Sequence, residues 1–435
     1  MNLRHRLLSQ STVIFGARLF GAGLTFLVQA AIARFISSEA LGEYILVIAT
    51  VNIIAVIMPL GFESIGTYFA AEYRAKGEGR LLRAFTARAY LHVAITAVLL
   101  LVLGYPLTLL LGEAGKVFAT HLIPATVLAT ATAMVFVSGG MLVGLKRPFA
   151  GFFAETLLRP LLAIAGFVVA IATVNGAGSI NQLMWVLSIG YAVVAVVQFA
   201  MLARVVKSIP LETEHRPKEW RRWWHFAIPW VALTVAGDFF FDIDLLLLAG
   251  HMPRQELAIF GVCTRVFSLV AFGVGSVYAV TMPDMFESEA MKDRAGFHRK
   301  IGEANLVASG LSVALLIAVL IGSPVVFYLF GPQFQAGVIP LAILCLGLVI
   351  RSVFGPASVV LSIHNRPYAT LPAVAAALVT VVFANLALVP PFGLLGASIA
   401  ALISMTVWSG ALWFTALKVA GVDVSIRAVY AVSPS

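Results

Sequence analysis

Stretches of predominantly apolar residues recur along this chain from end to end, and no other feature restricts its fold as tightly. Val47–Leu60, Val93–Leu111, Leu311–Phe330 and Leu371–Pro390 are examples. Each, with its flanks, approaches the roughly 20 residues that an α-helix needs to cross the hydrocarbon core of a bilayer. About twelve such helices are expected on this length criterion, near residues 11–36, 41–62, 86–111, 118–143, 149–173, 180–204, 225–249, 256–281, 303–330, 336–362, 368–390 and 394–418. With 61% of its 435 residues hydrophobic and only 11% charged, and a mean hydropathy of +0.99, the chain is far more apolar than a soluble domain needs to build a core. The expected class is an all-α membrane protein that spans the bilayer many times.

The net charge of +9 reads as topology and excludes a nucleic-acid footprint. Threaded with its N-terminus inside, the chain places most of its 29 Lys and Arg residues on one side, clustered at 74–88, 204–222 and 292–300. Only Arg34, Lys116 and Arg254 fall on the other side. That is the positive-inside pattern, and it predicts that both termini are cytoplasmic. Cys263 and Cys345 both lie in predicted helices, so no disulfide is expected, and the eight histidines show no metal-ligand spacing. Neither a metal nor another cofactor is expected. The short basic N-terminus leads into a full-length span, which reads as an uncleaved first helix.

The two halves of the chain resemble each other. Ala40-Leu41-Gly42-Glu43-Tyr44 lies over Glu256-Leu257-Ala258-Ile259-Phe260, each opening an even-numbered span. Arg147-Pro148-Phe149 lies over Arg366-Pro367-Tyr368, and Ser179-Ile180 over Ser398-Ile399, at nearly the same offset and the same topological positions. The expected organisation is a six-helix lobe at 1–204, an interfacial linker at 205–224 rich in Trp and Arg, and a second six-helix lobe at 225–435. Because six is even, the two repeats are parallel, an arrangement that puts substrate sites between the halves near the bilayer midplane.

Eight charged residues fall inside the apolar spans: Arg18, Arg159, Arg265 and Arg351, and Glu155, Asp238, Asp242 and Asp244. A charge at bilayer depth costs at least about 2.5 kcal/mol, so these side chains are expected to face protein or a watery cavity. Arg18 shares a helical face with Thr25 and Gln29, Arg265 with Ser268 and Ser276, and Arg351 with Ser358 and Ser362. All four cations are arginine, which stays charged when buried and offers a donor fork matched to phosphate oxygens. Arg18, Gln29, Arg265 and Arg351 are therefore the candidate substrate-binding residues. Arg159 has Glu155 four residues earlier in the favourable acid-first order, so these two are read as a structural pair. Asp238 and Asp242 are also four apart, and two carboxylates on one helical face make a candidate proton-coupling pair, with pairing to the arginines as the alternative. Asp244 lies near the external end, where it is expected to be hydrated.

The pattern Ala33-Arg34-Phe35-Ile36-Ser37-Ser38-Glu39-Ala40-Leu41-Gly42-Glu43-Tyr44 resembles the junction of the first two helices in lipid-linked oligosaccharide flippases. Phe226-Ala227-Ile228-Pro229, with Asp242-Ile243-Asp244-Leu245-Leu246-Leu247-Leu248-Ala249-Gly250, is similar to the start of their second half. These are the O-antigen and capsule-repeat translocases of the multidrug, oligosaccharidyl-lipid and polysaccharide exporter superfamily. The resemblance implies two six-helix lobes in a V around a cationic central cavity, working by alternating access in a bacterial inner membrane. It implies an undecaprenyl-pyrophosphate-linked oligosaccharide as cargo, moved from the cytoplasmic to the periplasmic leaflet for surface polysaccharide biosynthesis. Membrane lipid and a polysaccharide polymerase are the further partners it implies. Cavity residues vary widely in that family, so none is carried over as catalytic.

Two other functions compete. A cation-coupled multidrug extruder of the same superfamily would favour a carboxylate-rich cavity, which the Asp238 and Asp242 pair supports. A membrane glycan polymerase or ligase would need a sizeable external loop, and the predicted external loops are short, Ser37 to Ala40 and Pro391 to Gly393 among them. No Gly-rich Lys-Ser/Thr nucleotide loop is present, so the expectation is a non-enzymatic carrier driven by an ion gradient or the membrane potential.

Overall fold

The computed structural model describes residues 3–173, 178–211, 219–291, 293–364 and 366–429, and the middle of the expected linker, 212–218, lies outside them. All regular structure among the described residues is helical. Ten helical stretches are long and apolar enough to cross a membrane. Six match the first six expected spans, and three more match the eighth to tenth. The last, Tyr368–Val419, covers both final expected spans and is kinked at Gly393, where φ is 52°, just past Pro390 and Pro391. The expected span at 225–249 is instead two pieces, interrupted at Phe239.

The chain divides into two compact units, Met1–Leu246 and Leu247–Ser435. The first contains α1 (Leu3–Phe35), α2 (Ser38–Ile57), α3 (Phe62–Lys76), α4 (Gly79–Thr108), α5 (Gly112–Thr120), α6 (Leu122–Gly144), α7 (Pro148–Phe153), α8 (Arg159–Thr173), α9 (Gly178–Ser208), α10 (Trp220–Asp238) and most of α11 (Phe240–Leu248). Its hub is α6, which packs against α2, α3, α4, α7 and α9. The reason is compositional: Ala125, Ala129, Ala133, Ser138, Gly139 and Gly144 are all buried on it. Lipid offers helices no hydrophobic drive to associate, so close backbone approach past small residues supplies the attraction. The start of α2 is set by Ser37, whose hydroxyl accepts from Ala40 N at 3.0 Å, an N-cap for an otherwise unpaired amide.

Where the sequence predicted a span ending at 62 and a basic loop, the backbone turns and continues as α3. Leu60 (φ 53°) and Gly61 (φ 84°) are both left-handed. A Cβ on Gly61 would lie 2.2 Å from Ala227 O of α10, so this turn is also where α10 crosses. The start of α10 is fastened to α3. Arg222 donates to both carboxylate oxygens of Glu72 (3.1 and 2.8 Å) and to Glu219 (2.9 Å). Beneath them Trp223 Nε1 donates to Tyr73 Oη (2.6 Å), which donates to Glu219 (2.8 Å). Phe62, Phe69 and Phe85 close around this seam, with Phe85 5.3 Å from the Trp223 ring.

The second unit contains α12 (Arg254–Ala290), α13 (Arg294–Tyr328), α14 (Val338–Phe354), α15 (Ala357–Ile363) and α16 (Leu371–Val419). Its hub is α14, packed on α12, α13 and α16. After α16 the chain folds back, burying Val422, Val424 and Ala428 among Phe297, Ile301, Val360 and Leu361. Asn305 Nδ2 donates to Val424 O (2.5 Å), which satisfies a buried carbonyl outside any helix. Val424 O also sits 1.8 Å from where a Cβ on Gly355 (φ 82°) would be, so the break between α14 and α15 and the folded-back segment require one another.

Two outcomes follow for stability. Gly61→Ala places a side chain in left-handed backbone and against Ala227 O, which should cost on the order of 2 kcal/mol or more and appear as a lower melting temperature of the detergent-solubilised protein. At the Arg222 seam, burial acts to raise the Glu72 carboxyl, but the bonds from Arg222 and Lys76 outweigh it and hold it below its ordinary value of 4.5. Its stabilisation is therefore present above that value and lost as the pH falls through the lower folded one. Acidification should change Trp fluorescence as Trp223 loosens, and Glu72→Gln should remove that acid-dependent step.

Candidate functional site: an acidic cavity in the first unit

Three irregularities in the helices of the first unit each deliver a carboxylate to one cavity of about 520 Å³. Glu63 stands in the first turn of α3, directly after the turn at Leu60 and Gly61. Glu155 lies in a π-helical turn, Ala154–Leu158, set between α7 and α8, where Arg159 N bonds Ala154 O, five residues back. Asp238 is the last residue of α10, at the interruption before α11. Hydroxyls of Ser64, Thr67 and Thr234, the rings of Phe136, Phe152 and Phe239, and small or aliphatic residues of α6 with Gly151 form the rest of the lining. Ser64 Oγ donates to Glu63 (2.8 Å) and lies 2.9 Å from Thr234 Oγ1, which ties α10 to α3 at the cavity wall.

The cavity gathers negative charge. Asp238 and Glu155 both act electrostatically on Glu63, and Asp238 acts on Glu155. Two cations act on Glu155 from outside the lining. Arg18 lies 4.7 Å over the ring of Phe152, and Arg159 lies 5.7 Å over that of Tyr191. Carboxylates converging in this way cannot all stay ionised without a neutralising charge. Such a site can take up a proton or a cation.

The structure separates residues that the sequence placed together. Asp238 and Asp242 were expected on one helical face. The helix is interrupted at Phe239, and only Asp238 lines the cavity. Asp242 is buried on α11, accepting from Asn52 Nδ2 at 3.2 Å. Asp244, expected to be hydrated, is fully buried. Glu155 and Arg159 interact through their charges, yet Arg159 donates to Asn52 Oδ1 (2.9 Å) while Glu155 faces the cavity. Glu155 stands within the π-turn and Arg159 directly follows it.

On α1, Thr25 bonds its own helix at Gly21 O (3.0 Å) and Gln29 is buried, so the predicted stripe reaches the neighbourhood of the cavity only through Arg18. Arg265 and Arg351 belong to the second unit. Ser268 and Ser276 bond backbone carbonyls of α12. The predicted face of Arg351, Ser358 and Ser362 is interrupted, because α14 ends at Phe354 and α15 begins at Ala357. Arg351 lies 5.9 Å over the ring of Trp408.

Sequence reasoning missed Glu63 and Asn52. A carboxylate two residues after Pro59-Leu60-Gly61 was a usable signal for the first. A lone Asn within the most apolar part of α2 was a usable signal for the second.

This architecture, with its helical spans and polar interior, defines the chain as a multi-pass membrane protein with a transporter fold. It aligns with the inward-facing conformation of a multidrug resistance MATE family transporter of the MOP superfamily at a TM-score of 0.75 and 15% identity, covering 95% of this chain and 96% of that one. The lipid II flippase MurJ, in an inward closed conformation, gives 0.74 at 12% identity, covering 93% and 87%. An outward-facing multidrug resistance MATE family transporter gives 0.65 at 16% identity, covering 97% and 95%. No curated protein matches. Residues 7–289 match the model of the polysaccharide biosynthesis protein family, and the chain belongs to that family.

Proposed function

We propose that the protein is a non-enzymatic, cation-coupled exporter of the MOP superfamily, working by alternating access with the acidic cavity as its coupling site. The convergence of Glu63, Glu155 and Asp238 on one cavity carries this reading. A cavity of that charge would attract a proton, an inorganic cation or a cationic cargo, and any of these would bias a two-state carrier by binding one state more tightly. The resemblance of the fold to multidrug transporters is consistent with it. In this reading the chain crosses a bacterial inner membrane with both termini cytoplasmic, and its repeats are 1–204 and 225–435, joined by the linker at 205–224.

Membership of the polysaccharide biosynthesis protein family favours a second reading for the cargo. A lipid-linked oligosaccharide would be moved between leaflets, with Arg18, Gln29, Arg265 and Arg351 as cargo-binding residues and the same carboxylates supplying the drive.

Proteoliposomes distinguish the two. Under the first reading, an imposed pH gradient drives movement of the cationic dye ethidium, and Glu63→Gln, Glu155→Gln or Asp238→Asn lowers that rate on the order of tenfold or more. Ethidium flux that is absent or insensitive to all three substitutions removes the multidrug reading. Gradient-dependent translocation of a labelled undecaprenyl-pyrophosphate disaccharide would then establish the second.

A further inference from the structure

Arg159 acts electrostatically on Glu155, yet its guanidinium donates to a neutral side chain that in turn bonds a second acid. Glu155 precedes it by four residues on the same span. Asp242 approaches from α11. Between Arg159 and Asp242 stands the side-chain amide of Asn52, on α2, with both of its polar atoms in use. Its Oδ1 accepts from Arg159 (2.9 Å) and its Nδ2 donates to Asp242 Oδ2 (3.2 Å). Asn52 and Asp242 are only 8% and 5% exposed. The partners fix the amide orientation, because a guanidinium can only donate and a carboxylate can only accept. No aliphatic side chain could take this place, and an aspartate would set a second anion against Asp242.

We propose that Asn52 is a positioning residue of the coupling site: its amide holds the Arg159 guanidinium toward Asp242 and away from Glu155, which leaves the Glu155 carboxylate facing the cavity. Three observations meet in this. Across the π-turn at Ala154–Leu158, Glu155 lines the cavity while Arg159, directly after the turn, donates to Asn52. The ring of Tyr191 lies against the guanidinium, 5.7 Å from its centroid. Glu155 lines the cavity, whereas Arg159, Asn52 and Asp242 do not. The other charged or titratable groups acting around Glu155 are Arg18 from α1, Glu63 from α3, Tyr191 from α9 and Asp238 from α10. Arg159 is the one among these cations that a single neutral side chain directs elsewhere.

The inference rests on the reading of the cavity as a coupling site, and its test is chosen to fail separately from that reading. The full-length protein in lipid is titrated while the infrared band of protonated carboxyl groups is followed, and the component missing from Glu155→Gln is assigned to Glu155. In Asn52→Leu, Arg159 is released toward Glu155, and a cation beside a carboxylate favours its charged form. The proton affinity of that component should fall about tenfold, which is one pH unit. Asn52→Thr, which keeps one hydrogen-bonding atom and suits an apolar helix, should shift it in the same direction by less, and it serves if the leucine variant does not fold. The double variant Asn52→Leu/Arg159→Gln should return the component at least to its parent position, because the displaced cation is gone; a purely structural defect would be deepened by the second change. An unmoved component in both single variants, or a double variant that keeps the shifted value, overturns the proposal. If the component moves as expected but ethidium flux ignores Glu155→Gln, Glu63→Gln and Asp238→Asn, the positioning stands and the coupling reading falls.

Discussion

A peptide group inside a bilayer has no water to bond, so every departure from a regular helix at that depth must be buried in protein or must line a polar cavity. This constraint orders the first unit. Its helices are interrupted at Leu60 and Gly61, in the π-turn at Ala154–Leu158, and at Phe239. Each interruption stands beside a carboxylate, and the three carboxylates share one cavity. A polar cavity tolerates irregular backbone, and irregular backbone turns side chains into the cavity that a continuous helix would point elsewhere. The glycine- and alanine-rich α6 makes the arrangement possible, because α2, α3, α7 and α9 can all approach it closely.

The cations are arranged by the same economy of hydrogen bonds. Arg18 rests over Phe152 and Arg159 over Tyr191, so aromatic faces support both guanidinium groups close to acids. An aromatic ring attracts a cation without neutralising it. The acidic cavity therefore has positive charge nearby and still presents three carboxylates at its wall. The second unit shows the corresponding rule for backbone: in its folded-back segment after α16, Asn305 satisfies the buried carbonyl of Val424.

Fold and family bear on function at different levels. The fold is shared with multidrug transporters and with a lipid II flippase at identities of 12–16%, a range in which the helical framework persists while the cavity lining can be wholly different. The family match places the chain among polysaccharide biosynthesis proteins.

Most of the spans were legible in the sequence because a bilayer sets one length and one polarity for all of them, so a run of apolar residues is nearly sufficient information. The presence of charge within the spans was legible for the same reason. Which charges meet was not. Asp238 and Asp242 are four residues apart and face different surroundings, because the helix is interrupted between them. Glu155 lines the cavity while Arg159 donates to Asn52 across a π-turn that leaves no plain mark in composition. Glu63, Glu155 and Asp238 are far apart in the chain and come together only because α3, the π-turn and α10 line one cavity. Periodicity within one helix is a local property written in the sequence; the meeting of three interrupted helices is decided by which surfaces pack, and only the tertiary structure contains that.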